Sequence, residues 1–185
     1  MNKRIIALST MACLLIAPAS FAQLAQGSLG ATSTGNIDLD LQVTDSVKIT
    51  ALADIDFGSY GGADTGAISG ADAYCVYANG GDAYKITPTS TNGAASDDAS
   101  TFHLVGTTDG DEIQYTVKFA GTASGASAAS TVAYNTQTAS FNGAKTTNCA
   151  GADNAQLHID IAEQEIRDAS TDLYTDMLIL LVNPV

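Results

Sequence analysis

Positive charge is scarce in this chain. Its 185 residues hold seven Lys and Arg against twenty Asp and Glu, a formal net charge of −13. Binding nucleic acid needs basic patches, so that partner is excluded. Acidity of this degree serves solubility and self-repulsion at a surface. Histidine is nearly absent too. His103 and His158 each sit inside an alternating apolar pattern, and neither stands near a Cys at zinc-ligand spacing. No arrangement of Ser, His and Asp is recognisable as a triad. The Gly-x-Ser-x-Gly elbow, the Walker loop and the dinucleotide fingerprint are all missing. Asp109-Gly110-Asp111-Glu112 lacks the remaining ligands of a calcium-binding EF-hand loop and reads as a solvated turn. The chain is expected to be no enzyme and to carry no cofactor or metal.

Long apolar runs are also lacking, and the one that exists is short. Lys3 and Arg4 precede Ile5 to Ala17, which Ser9 and Thr10 interrupt; Ser20 and Ala22 then fit the −3 and −1 positions of a cleavage site. The run falls short of the ~20 residues that span a bilayer. Residues 1–22 therefore read as a secretory signal peptide, with the mature chain starting at Gln23. Removing it leaves 163 of the 185 residues, enough for one domain with a real core. It also removes two of the seven basic residues and no acidic one, so the net charge becomes −15. Of three cysteines, Cys13 leaves with the signal. Cys75 and Cys149 remain as an even pair in an oxidising compartment and predict one disulfide. Closing so long a loop stabilises by about 4.5 kcal/mol in the chain-entropy model.

What the mature chain does have is strict alternation. In Gly35 to Val43, GNIDLDLQV, the residues Ile37, Leu39, Leu41 and Val43 share one side and Asn36, Asp38, Asp40 and Gln42 the other. Period two is the mark of a strand with one buried and one wet face. A polar, Gly-containing leader, 23–34, precedes it, and the apolar pattern continues from Val47 to Leu52, then through Ile55 and Phe57. Further strands are predicted over Ala67–Ala78, over Ala83–Thr89 (ended by Pro88), and over Thr101–Val105, Glu112–Ala120 and Gln156–Ala162. Asn79-Gly80-Gly81-Asp82 is a hairpin turn, and Ser90–Ser100 and Gly121–Ser130 are loops. Thr131–Phe141 has a weak pattern, and Glu163–Ser170 suits one helical turn or a loop. Tyr174–Val182, nearly continuously apolar, is expected to be buried on both faces. Seven to nine short strands, no Trp and little helical periodicity indicate an all-β fold, an immunoglobulin-like β-sandwich.

Several segments, in order, resemble subunits of chaperone–usher pili. The likeness is to the archaic branch, with its spore coat protein U-like domain, and to the related alternative (class 5) fimbriae. GNIDLDLQV resembles the N-terminal donor segment of those pilins. ALADIDFGSY (51–60) resembles their Asp-Phe-Gly element. AISGADAYCVYANGGDAYKITPTS (67–90) resembles their strand, Cys, Gly-containing turn and aromatic return strand. DLYTDMLILLVNP (172–184) resembles their final Gly-x-Tyr-x-Asp strand, and EIQYTVKFAG a mid-domain strand. Leu173 stands where the family usually has Gly, and Val47 about where archaic subunits often have an early Cys.

The resemblance implies an incomplete immunoglobulin-like sandwich, completed by a donor strand from a neighbouring subunit. The divisions are then signal peptide 1–22, leader 23–34, donor strand 35–46 and pilin domain 47–185. The donor residues are Ile37, Leu39, Leu41 and Val43. The edge of the acceptor groove is Tyr174, Met177, Leu178, Ile179, Leu180, Leu181 and Val182. Implied partners are copies of this chain or sister pilins, a periplasmic chaperone and an outer-membrane usher. The implied location is the surface of a Gram-negative bacterium, in a fimbrium that supports adhesion or biofilm formation. The residues alone also allow a second reading, a monomeric secreted module that completes itself with its own 35–43 segment and binds a glycan or host ligand. An apolar terminal strand with no partner along one edge is an aggregation hazard unless covered, and an alternating segment suits that task by β-augmentation.

Overall fold

A computed structural model describes residues 26–80, 82–93 and 101–185. The expected export signal, the start of the expected leader, Gly81 of the expected hairpin turn and most of the 90–100 loop lie outside the described residues. The chain divides into two units, Met1–Gln42 and Val43–Val185. In the first, residues 26–42 form no strand or helix, although the alternation predicts a strand from Gly35. An extended segment becomes a strand only when a neighbour satisfies its N–H and C=O groups, and this one makes no ladder.

The second unit is an all-β sandwich of two antiparallel sheets. The larger has seven strands in the order β1 (Val47–Thr50), β2 (Ile68–Ala78), β8 (Ala155–Ile161), β5 (Glu112–Ala120), β4 (Phe102–Gly106), β9 (Tyr174–Thr175), with β6 (Ser130–Val132) also paired to β5. The smaller has the order β10 (Leu178–Pro184), β3 (Ala83–Ser90), β7 (Phe141–Asn142). One short helix, α1 (Glu163–Asp168), realises the predicted helical turn between β8 and β9.

Alternation decides what fills the space between the sheets. Ile113, Tyr115, Val117 and Phe119 of β5 are buried, as are Ala155, Leu157, Ile159 and Ile161 of β8. From β2 come Tyr74, Val76 and Ala78, and from β3 Tyr84 and Ile86. Cys75, between Tyr74 and Val76, points to the opposite face of its strand by the same pleat. There it forms the predicted disulfide with Cys149, across 74 residues of sequence.

Three strands depart from the sequence reading. Pro88 does not end β3. It lies inside the strand, buried, opposite Leu180, and its carbonyl accepts the Asn135 N–H at 2.8 Å. β7 pairs only Ala83 and Tyr84, so no ladder donor is required of position 88 on that side. β1 stops at Thr50 because Ala51 takes a left-handed conformation, φ 65°. Most consequentially, Tyr174–Val182 is not one strand buried on both faces. It breaks at Asp176-Met177 into β9 and β10, which belong to different sheets.

Candidate functional site

The break is pinned by polar groups. Tyr115 Oη donates to Asp176 Oδ2 at 2.6 Å, and the Asn92 N–H donates to Asp176 Oδ1 at 3.1 Å. The Asn92 side-chain amide donates to the Thr175 carbonyl at 2.7 Å, and the Thr91 N–H to the Met177 carbonyl at 3.0 Å. These bonds carry the chain from one sheet to the other. Burial pushes the Tyr115 phenol above its ordinary range, and the Asp176 carboxylate adds to the shift by favouring the protonated, donating form. Upstream, Asp172 accepts the backbone N–H groups of Thr108, Leu173 and Asp109. Together these hold its carboxyl below the usual carboxylate range and fasten the β4–β5 turn to the approach of β9.

Beyond the break, β10 pairs along its whole length with β3, from Leu178↔Ser90 to Pro184↔Tyr84. Its other edge has no ladder partner among the described residues. Beside that edge lies a groove of about 460 Å³. Leu178, Leu180 and Met177 form one wall. Leu52, Ile55 and Phe57 form the other. The floor is Leu104 of β4, Tyr115 of β5 and Leu157 and Ile159 of β8, with Asp54, Asp72 and Asp176 as its polar lining.

The second wall is a strandless run whose course is set from β2. Ala53 N–H donates to Asp72 Oδ2 at 3.0 Å. Ile55 and Phe57 then lie against Gly70, where any side chain would collide with both. The groove exists because this run approaches β2 and not β10.

The seven residues expected at the groove edge therefore separate. Leu178, Leu180 and Val182 face the core. Ile179 and Leu181 point out of the sandwich, 48% and 58% exposed, against the expectation of burial on both faces. Strand pleating requires this of any β10 with only one face on the core. Tyr174 is away from the groove, on β9 beside β4, with its hydroxyl donating to the Ser170 carbonyl at 2.8 Å. Of the predicted donor residues, Ile37 and Val43 are exposed, and Leu39 and Leu41 are each 89% exposed. Of the residues expected at the edge, Met177, Leu178 and Leu180 line the groove; its floor and opposite wall come from residues outside that set. Ile55 and Phe57 were visible as an alternating pair; nothing in their spacing said which cavity they would border.

Compared with known proteins, the chain matches no family model and no curated protein.

Proposed function

We propose that this chain is a structural subunit of a surface pilus, polymerising head to tail by donor-strand exchange. One conjunction carries the reading. A sandwich with an apolar groove beside an unpaired edge strand belongs to the same chain as an exposed, alternating apolar segment of matching length. β10 has seven residues, and Ile37–Val43 has seven, each spanning roughly 20 Å when extended.

The segment from one copy enters the groove of the next and hydrogen-bonds along the free edge of β10. Ile37, Leu39, Leu41 and Val43 then face Leu157, Ile159 and Phe57. Burying four such side chains stabilises by roughly 6–12 kcal/mol before association costs of several kcal/mol. A head-to-tail contact does not close on itself and yields a filament. Before assembly a periplasmic chaperone covers the groove, and an outer-membrane usher receives the complex. The fibre supports adhesion or biofilm formation on a Gram-negative cell.

The test is Leu41→Asp. Fibres sheared from cells expressing the wild-type chain are expected to run as a ladder of multimers on an unheated denaturing gel and to collapse to one band after boiling in acid. The variant is expected to give monomer only, with chaperone binding retained. A normal ladder from the variant refutes the donor assignment. A lone monomer band from the wild-type chain identifies instead a module that completes itself.

A further inference from the structure

The turn between β2 and β3 does more than carry the chain from the larger sheet to the smaller. Asn79 sits at its tip, and among the described residues every hydrogen bond of its side chain goes to residues 44 and 46. Its Oδ1 accepts the Ser46 N–H at 2.5 Å and the Ser46 hydroxyl at 3.0 Å. Its Nδ2 donates to the Thr44 carbonyl at 2.9 Å. Its own backbone N–H donates to the Ser46 carbonyl at 3.1 Å. One residue thus grips three backbone groups of a stretch that belongs to no strand. The neighbouring Gly80, φ 77°, closes the grip, because a side chain there would strike the Asp45 carboxylate. An Asn-Gly pair suits a tight turn on its own account; here the Asn amide is spent on the segment that leads into β1.

Those three residues are the root of the alternating segment. Val47 is already fixed by pairing with Ala78, and Ile37–Val43 has no ladder of its own. The grip on 44–46 is therefore the last point at which the domain constrains the chain on its way to that segment.

We infer that Asn79 is a positioning residue that sets the direction in which each subunit holds out its donor segment, and hence the stiffness of the fibre. This rests on the proposed pilus function and assigns Asn79 no part in the strength of the donor–groove contact. With the root gripped, the angle between successive domains is restricted. With it released, residues 44–46 become a hinge.

The test uses the full chain, secreted and assembled. Asn79→Ala is expected to leave the multimer ladder unchanged, to lower the persistence length of fibres in electron micrographs by roughly twofold or more, and to speed exchange of the Ser46 amide in the folded domain by about five- to tenfold, as loss of its Asn79 acceptor requires. Ser46→Pro removes the N–H and the hydroxyl from the other side and leaves the β2–β3 turn untouched. It must reproduce the softening, and the double variant must add little to either. Fibres of either variant that form a normal ladder and stay as stiff as wild type overturn the grip while leaving the pilus reading in place. A wild-type chain that forms no ladder overturns the pilus reading and the inference with it.

Discussion

Two segments of this molecule are written in nearly the same code and end up in opposite states. Ile37-Leu39-Leu41-Val43 and Leu178-Leu180-Val182 both place an apolar residue at every second position. The second is a strand, laddered to β3 over all seven of its residues, with its inner face on the core. The first has no ladder and shows its apolar side to solvent. Their intermediate residues differ. Asp38 and Asp40 make the first segment's other face strongly polar, whereas Ile179 and Leu181 make the second apolar on both faces. The comparison teaches that alternation specifies which way side chains will point, and that a partner edge decides whether a strand exists at all.

The comparison is broken most forcefully at Leu180. Leu180→Asp sets a carboxylate in the apolar wall of the groove and is expected to cost about 2–4 kcal/mol of domain stability, read from urea unfolding. Ile179→Asp, one position away on the outward face, is expected to cost under about 1 kcal/mol. Equal losses from the two would mean that β10 has no distinct inner face. A smaller effect is expected at the root of β10. Tyr115→Phe removes the hydroxyl bonded to Asp176 and leaves that carboxylate with the Asn92 and Met177 N–H groups. About 1–2 kcal/mol should be lost, with an unchanged denaturant slope. A stability equal to wild type would show that packing alone directs the chain from β9 into β10.

Most of the fold was legible because period two is a local property. Glu112–Ala120 is β5 residue for residue. The turn at Asn79 stands where its Asn-Gly pair put it, but the hairpin expected there is a crossing between sheets, since β2 and β3 do not pair. The pairing of Cys75 with Cys149 was legible because setting Cys13 aside with the expected signal left one pair. The illegible parts are those settled by distant groups. Nothing in TDMLILLV announces that Asp176 will accept from Tyr115, sixty-one residues away in sequence, and so divide the run between two sheets. Pro88 reads locally as a strand breaker. It is tolerated because β7 is short enough to leave its side of β3 to Asn135. The groove is the hardest feature of all, since its lining comes from six separate stretches of chain and their assembly is a property of the sandwich.

The interior carries one further consequence, and it is optical. The chain has seven tyrosines and no tryptophan. Tyr74, Tyr84 and Tyr115 are core residues, and burial pushes the ionisation of each well above its ordinary value. A phenol whose folded value is raised favours the native state fully below its unfolded value of about 10, and that advantage is lost as the pH climbs further. In an alkaline absorbance titration the three core rings should therefore ionise only as the sandwich opens. Hydroxide then acts on this protein as denaturant and indicator together, so that its unfolding is visible without any added dye.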